Sequence, residues 1–402
     1  MSILDTHQTN RLRVSFFNLL VIVVFMVATG CTTTASHKKV MISKGAEIKQ
    51  PSVRVVVERS ADTLIFEGAD LRLVCGDVKL EFPDRVLLRF EDGGVRYRDR
   101  LLKYPVKLQS SKRIYINGRP YYGNLVLLNK NVINVVPLEE YIKGVLSLEV
   151  SPDWPLEALK AQAVVSRTFA LYRIIHAKDP NYHLDNTVFF QRFEYRISNK
   201  NISKAVEQTD GEVLIYRGEV IEALYHSNSG GRTESCQNIF KNDLPYLRSI
   251  QDPYSLRTPY SYWSFEIDSS EFIERLVRAG YINGAKKLLG IKIKSRTSSG
   301  RVSEFLIWLE GGEKLVINGN KLRMVIGPRV FKSLLITEVK VQRRDNDNYI
   351  IKFSGRGYGH GVGMSQWGAK VMAESGFNYR QILSFYYRGT TVRNYIDVID
   401  NP

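Results

Sequence analysis

From Val53 onward the chain breaks into short runs of β-branched and apolar residues: Val53–Val57, Leu64–Phe66, Leu71–Val74, Val86–Phe90, Val106–Leu108, Ile114–Ile116, Leu125–Leu128 and Val132–Val136. Turn signals at Gly76-Asp77, Asp92-Gly-Gly94 and Asn117-Gly118 separate them, so this part is expected to be β-rich and built from hairpins. The period then changes. Apolar residues at Leu138, Tyr141, Ile142, Val145 and Leu146 recur at the spacing of a helix face turned to a core, and Pro137 suits the first turn of that helix. Three residues further along the same stripe stands Glu149, a carboxylate where the pattern asks for an apolar side chain.

Two fates are open to that carboxylate. If the helix runs on until Pro152 stops it, Glu149 is partly buried and near the negative end of the helix dipole. Both effects disfavour the ionised form, and a glutamate kept protonated near neutral pH can act as a general acid. If the helix frays at Leu148, Glu149 points into water, the commoner fate of a helix-end glutamate. A second helix is predicted at once, with Asp153 or Ser151 as its cap and Pro155 in its first turn. Leu156, Leu159, Ala163, Ser166 and Ala170 form its narrow packing stripe. The short corner Val150–Trp154 would hold Glu149 at the elbow of the two helices. On pattern alone, Gln162 and Arg167 read as surface residues.

Further on, a hairpin is predicted through Glu212–Tyr216 and Val220–Tyr225, followed by the loop His226-Ser-Asn-Ser-Gly-Gly-Arg-Thr-Glu234. Gly230 and Gly231 allow close backbone approach to a ligand. Side chains such as Ser227 and Ser229 are the kind that bond sugar hydroxyls, although a polar turn has the same composition. Residues 255–348 read as an α+β elaboration, with helices over Ser269–Ala279 and Asn318–Val325 and strand pairs Ile291–Lys294 with Phe305–Leu309 and Ile336–Val341 with Tyr349–Phe353. Near the C-terminus, alternating glycines from Gly355 to Gly363 set Tyr358 and His360 on a tightly approached backbone, and Ser365 can cap the helix that follows. The run lacks the lysine of a phosphate loop and the spacing of a dinucleotide fingerprint, which disfavours nucleotides. His226, Cys236 and His360 raise the question of zinc, but their spacing fits no compact ligand motif, and the metal stays open.

Composition adds a location. Arg11 and Arg13 precede the apolar run Val14–Ala28 and then Thr29-Gly30-Cys31, the layout of a secretory signal over residues 1–30. The small residues before Cys31 resemble a bacterial lipobox, which makes Cys31 a lipidation candidate and 31–51 a polar tether; an uncleaved anchor would also leave the rest of the chain outside the cytoplasm. The chain carries a net charge of +16, and loss of residues 1–30 removes two arginines and one aspartate, leaving 55 basic against 40 acidic residues. Outside the cytoplasm such a field suits a cell-wall polymer or anionic lipid rather than nucleic acid. Cys75 and Cys236 could pair, although a chain this long has core enough without a disulfide.

The run Glu149-Val-Ser-Pro152 followed by Glu157-Ala-Leu-Lys-Ala-Gln-Ala-Val-Val-Ser-Arg-Thr-Phe-Ala170 resembles the family of the stage II sporulation protein D and the amidase enhancer LytB. The acidic corner keeps its glutamate with one residue inserted. In Tyr182–Phe193, Asp185, Thr187 and Gln191 match, with Phe193 where a tyrosine is more usual. Gly359-His-Gly-Val-Gly-Met-Ser-Gln-Trp-Gly-Ala369 matches residue for residue. The resemblance covers about Ile114 to Arg393 and implies a catalytic domain of this family over 114–395; with the β-rich region over 52–113 read from the pattern, the expected fold is α+β. It implies action on peptidoglycan, and in the sporulation branch a lytic transglycosylase in which Glu149 is acid and then base. On that reading Arg167, Gln191, His226, Ser227, Ser229, Gly230 and Gly231 contact the glycan strand, together with Tyr358, His360, Ser365 and Gln366. No cofactor is required by that chemistry, while zinc is reported for some relatives. The enhancer branch implies instead a non-catalytic wall-binding protein with an amidase partner.

Overall fold

Alternation of apolar and polar residues lays down two sheets in the first part of the chain. One is seven-stranded, in the order Leu184–Asp185, Ser52–Glu58, Asn131–Pro137, Asn124–Leu128, Val106–Gln109, Leu71–Cys75, Val78–Phe82. The other is six-stranded, in the order Arg119–Tyr121, Ile114–Ile116, Thr63–Glu67, Arg85–Glu91, Gly94–Tyr97, Arg100–Lys103. The computed structural model describes residues 50–400 apart from 186–190, 192, 194–198, 285 and 345–347. The expected signal, Cys31, nearly all of the tether and Thr187 therefore lie outside the described residues.

Inward positions of both sheets, among them Val53, Val55, Leu73, Leu125 and Leu127 from one and Leu64, Phe66, Leu88 and Phe90 from the other, share one buried core. Period-2 alternation is what delivers one face of each strand to that core. The division expected at residue 113 is corrected here. Strands 114–116, 119–121, 124–128 and 131–137 are hydrogen-bonded into the same two sheets as residues 52–109, so no break falls between them. Cys75 and Cys236 are both free thiols, the first partly buried in the seven-stranded sheet and the second buried in a different core.

Helix α1 (Leu138–Glu149) leaves the last of these strands without a gap, and its apolar stripe Leu138, Tyr141, Ile142, Val145 and Leu146 closes the sheet core. Helix α2 (Leu156–Ile175) is buried on two sides. Leu159, Ala163, Phe169 and Ala170 face that core, while Ala161, Val164 and Val165 face another, formed with Leu214, Ile221, Val362, Met364, Ile382 and Tyr386. Small residues all round α2 allow this double burial, which a single narrow stripe does not foretell. Neither Ser151 nor Asp153 caps α2; Pro155 occupies the cap position, and Ser151 Oγ accepts instead from the Asp153 N–H at 3.3 Å.

Residues 263–356 carry their own core, with Phe272, Leu276, Phe305, Phe331, Ile351 and Phe353 at its centre. The expected helices appear as Ser269–Arg278 and Gly319–Ile326, and the expected strand pairs as Leu288–Arg296 with Val302–Leu309 and Leu335–Arg343 with Tyr349–Arg356. The strand Tyr349–Arg356 extends this unit past residue 348, because Phe353 and Ile351 belong to its core.

The helices are locked by one buried ion pair. Arg167 on α2 meets Glu139 in the first turn of α1 through two parallel bonds, Nε to Oε1 at 2.7 Å and Nη2 to Oε2 at 2.6 Å. Its remaining donors reach the carbonyls of Val206 and Glu212 and the Thr209 hydroxyl. Removing one partner strands a buried charge at a cost of roughly 3–5 kcal/mol, whereas replacing both by apolar groups removes the desolvation cost as well. Arg167→Met is expected to lower the urea unfolding midpoint sharply, and Glu139→Leu added to it to recover most of the loss; a full-length chain whose midpoint does not move with Arg167→Met contradicts this account.

Candidate functional site

The stripe of α1 ends on Glu149, and the helix does not fray before it. The Val150 N–H closes the last turn onto the Leu146 carbonyl at 3.1 Å, and Glu149 is half-buried. The elbow is then fixed by a bond from the Trp154 N–H to the Ser151 carbonyl at 3.2 Å and by Asn201 Nδ2, which donates to the Pro152 carbonyl at 3.1 Å. Burial of Glu149 therefore follows from the helix running to its end against the core, the first of the two fates open to it.

Behind the carboxylate lies a chain of neutral polar groups. Gln366 Nε2 approaches Glu149 Oε2 at 3.4 Å and Gln162 Oε1 at 3.5 Å. Gln162 Nε2 donates to Ser166 Oγ at 3.0 Å, Gln191 Nε2 donates to the Ser166 carbonyl at 3.2 Å, and Tyr141 Oη donates to Gln191 Oε1 at 3.1 Å. All five partners of this chain other than Glu149 are buried. The structure thus brings together Glu149, Gln191 and Gln366 from the residues singled out in the sequence. It adds Tyr141, Gln162 and Ser166. The i, i+4 placement of Gln162 and Ser166 was the available signal for a shared polar face on α2.

Tyr225, on the short strand Tyr225–His226, joins the same cluster. This strand runs parallel to Met364–Ser365, with Tyr225 opposite Met364 and His226 opposite Ser365, so Gln366 follows directly on the paired segment. Burial first and the nearby Glu149 second push the Tyr225 phenol well above its usual range, and the same two causes act on Tyr141. Two tryptophans flank the elbow: Trp154 in the corner itself and Trp367 beside Gln366, with ring centroids 5.1 Å apart.

Several expected substrate contacts are corrected. Arg167 is fully buried and its donors are taken within the fold. Ser229 and Ser365 are also fully buried. Ser229 Oγ donates to Asp252 Oδ2 at 2.7 Å, and Ser365 Oγ meets Ser255 Oγ at 2.8 Å while capping the helix Gln366–Glu374 at the Gly368 N–H. Gly230 adopts a positive φ of 72° against the Arg356–Gly357 backbone, and a Cβ on it would fall 2.7 Å from Arg356 C; Gly231 packs against Leu256. At Gly363, φ is 74° and a Cβ would lie 1.9 Å from the Leu224 carbonyl oxygen. The close approaches made by these glycines are to other segments of the chain.

His226 is buried, with Nδ1 3.1 Å from the Val362 carbonyl, which makes Nδ1 the donor and leaves Nε2 without a partner. His360, with its ring centroid 5.6 Å from that of His226, accepts the Val362 N–H on Nδ1 at 3.0 Å. Burial holds both imidazoles neutral: it lowers His226 well below the ordinary range and His360 to about 4. Cys236 is buried apart from them, its thiol pushed up to about 12 by burial and then by Glu222 and Asp243. Among the described residues no three His, Cys, Asp or Glu side chains are placed to hold a metal, so His226, Cys236 and His360 do not fit a zinc site. Ser227, Tyr358 and His360 are half-buried, and Tyr358 packs edge-on against Tyr260 with Lys332 over its ring.

Residues 128–216 match the family model described as "Stage II sporulation protein", and residues 257–363 match one described as "Domain of unknown function (DUF8618)". An uncharacterized protein of Brachyspira hyodysenteriae is 33% identical over 82% of the chain and 86% of its own length. The amidase enhancer of Bacillus subtilis is 33% identical over 74% of the chain, and the match spans 48% of that protein, about half. The stage II sporulation protein D of Bacillus subtilis is 30% identical over 66% of the chain and 76% of its own length.

The neutral histidines make the fold acid-labile. The unfolded chain protonates a histidine near 6.5 and the folded chain protonates His360 only near 4, so the unfolded state binds more protons between these values. The contribution of His360 to stability is full above about pH 6.5 and falls as pH drops toward 4. In His360→Asn, whose amide oxygen can still accept from Val362, the decline in urea midpoint from pH 7 to pH 4.5 is expected to be shallower than in the parent; equal slopes would contradict a neutral His360.

Proposed function

The chain belongs to the family of the stage II sporulation protein D and the amidase enhancer, and from that premise we propose that it is a peptidoglycan lytic transglycosylase. It cleaves the bond between N-acetylmuramic acid and N-acetylglucosamine in glycan strands stripped of their stem peptides. The observation that carries this reading is the half-buried Glu149 at the elbow of α1 and α2, held by Gln366 and backed by a buried chain of neutral amides and hydroxyls.

Glu149 gives its proton to the glycosidic oxygen as the bond from C1 breaks, and N-acetylglucosamine leaves as the alcohol. The muramic C6 hydroxyl then closes onto C1, its proton passes to the Glu149 carboxylate, and a 1,6-anhydro end results. No water enters, so the second carboxylate that other glycosidases use as nucleophile or base is not needed. Gln366 orients the carboxyl group, and the double burial of α2 fixes Gln162 and Ser166 behind it. The strong positive charge suits the anionic polymers of a cell wall, and lipidation at Cys31 would tether the protein at the outer side of a membrane.

The second reading, a non-catalytic wall-binding protein that stimulates an amidase, is favoured by the relative named amidase enhancer. Mass spectrometry of denuded glycan strands after incubation with the protein separates the two. Anhydro-ended fragments are expected, with Glu149→Gln slowing their release by about 10²- to 10⁴-fold. Absence of fragments from both proteins, with both still binding the wall, transfers the conclusion to the enhancer reading.

A further inference from the structure

The strands Leu288–Arg296, Val302–Leu309 and Lys314–Asn318 form one sheet of the unit 263–356. Alternation sends Ile291, Phe305, Ile307 and Ile317 into the core of that unit. The opposite face carries two rows of cross-strand neighbours: Gly290, Trp308 and Lys314 in one, Lys292, Leu306 and Val316 in the next. Trp308 and Leu306 are half-buried, Lys292 and Lys314 are exposed, and Val316 is 44% exposed; none of the three apolar residues belongs to a buried core. The indole lies against Gly290, where a Cβ would stand 3.4 Å from Trp308 Cε3, in van der Waals contact. Lys314 is directly across from Trp308, and Lys292, diagonally across, places Nζ 5.2 Å from the ring centroid. Among the described residues these two lysines form no ion pair, whereas Lys294 meets Glu304 at 3.1 Å. Residues 263–356 hold 18 basic and 10 acidic residues, a surplus of 8 that is half of the chain's net charge of +16.

We propose that this face is a second glycan-binding surface, separate from the elbow at Glu149, and that it takes a strand bearing free carboxylates. One face of an amino sugar presents only C–H groups and stacks on Trp308 and Leu306, while Lys292 and Lys314 pair with the lactyl carboxylates of N-acetylmuramic acid. An open, flat face suits a linear polymer, since a small molecule needs a concave site. The lactyl carboxyl is tied up as an amide until the stem peptide is hydrolysed off, so amide hydrolysis is the class of reaction that supplies this ligand. The surface rests on the cell-wall premise common to both readings above and does not require Glu149 to be catalytic.

Binding of dye-labelled denuded strands is measured by fluorescence anisotropy over a range of salt, using the full chain with Glu149→Gln so that strands stay whole. Two changes are added to that parent: Trp308→Leu, which keeps an apolar cover over Gly290, and Lys292→Gln together with Lys314→Gln. Trp308→Leu is expected to raise Kd about 10-fold. The double lysine variant is expected to raise it about 3- to 10-fold at low salt and to flatten the salt dependence. Strands whose carboxylates are converted to methylamides bind the parent correspondingly more weakly and lose nothing further in the double variant. A parental Kd in the double variant overturns the proposal, as does a parental Kd in Trp308→Leu. Where urea unfolding shows that Trp308→Leu has lowered the midpoint, the double variant alone decides. Equal affinity for methylamidated strands removes the carboxylate recognition, and equal affinity for polyglutamate, an anion without sugar rings, reduces the face to a patch of charge; either result overturns the proposal. None of these outcomes alters the test of Glu149, which is read from anhydro-ended fragments.

Discussion

The bidentate pair between Arg167 and Glu139 ties together α1, α2, the carbonyl end of the helix Lys200–Glu207 and the strand that begins at Glu212. Such a pair contributes little net stability against an apolar replacement, but it tolerates only one geometry. With α1 held at its first turn by Glu139 and at its last by the Ser151–Trp154 corner, Glu149 has one place to be. The site is therefore a consequence of how two helices are clamped, and Arg167 acts on it only through its grip on Glu139, about 15 Å of helix away from Glu149.

The glycine-rich segment near the C-terminus acts in the same spirit. Its glycines let the chain pass against Leu224, His226 and the guanidinium of Arg301, a residue of the elaboration between 263 and 356. Arg301 in turn donates to the Ser229 carbonyl at 2.8 Å, and Glu234 accepts from Thr297 at 2.6 Å and Ser299 at 2.7 Å. The elaboration is thus hydrogen-bonded into the loops that set Tyr225, His226 and Gln366. A motif dense in glycine and polar groups reads in isolation as a ligand cradle, and here most of that density is spent on crossing segments of the same chain.

Among the described residues of the site, those left partly exposed are few: Glu149, the two tryptophans of the elbow, and the half-buried Ser227, Tyr358 and His360. Neutral donors and acceptors dominate the interior behind the acid. The catalytic reading depends on that neutrality, since a single carboxyl group that must give and then receive one proton is best surrounded by groups that hold theirs.

Local pattern alone determined the strands of the first region, both central helices and the units of the elaboration, because periods of 2 and 3.6 are written in residue order and turn residues mark their ends. It also marked Glu149 as an anomaly, since a carboxylate on an apolar stripe breaks the period. Tertiary structure decided the rest. Gln162 and Arg167 became interior residues because α2 is enclosed by two cores, a fact no single stripe records. Ser229, Ser365 and Gly230 turned inward because segments more than a hundred residues apart meet at Ser365 and Arg356, while Gly231 packs against the nearer Leu256. Tyr225 acquired its place beside Gln191 and Ser166 through a parallel pairing whose two strands are of two residues each, far too short to leave a periodic signal of their own.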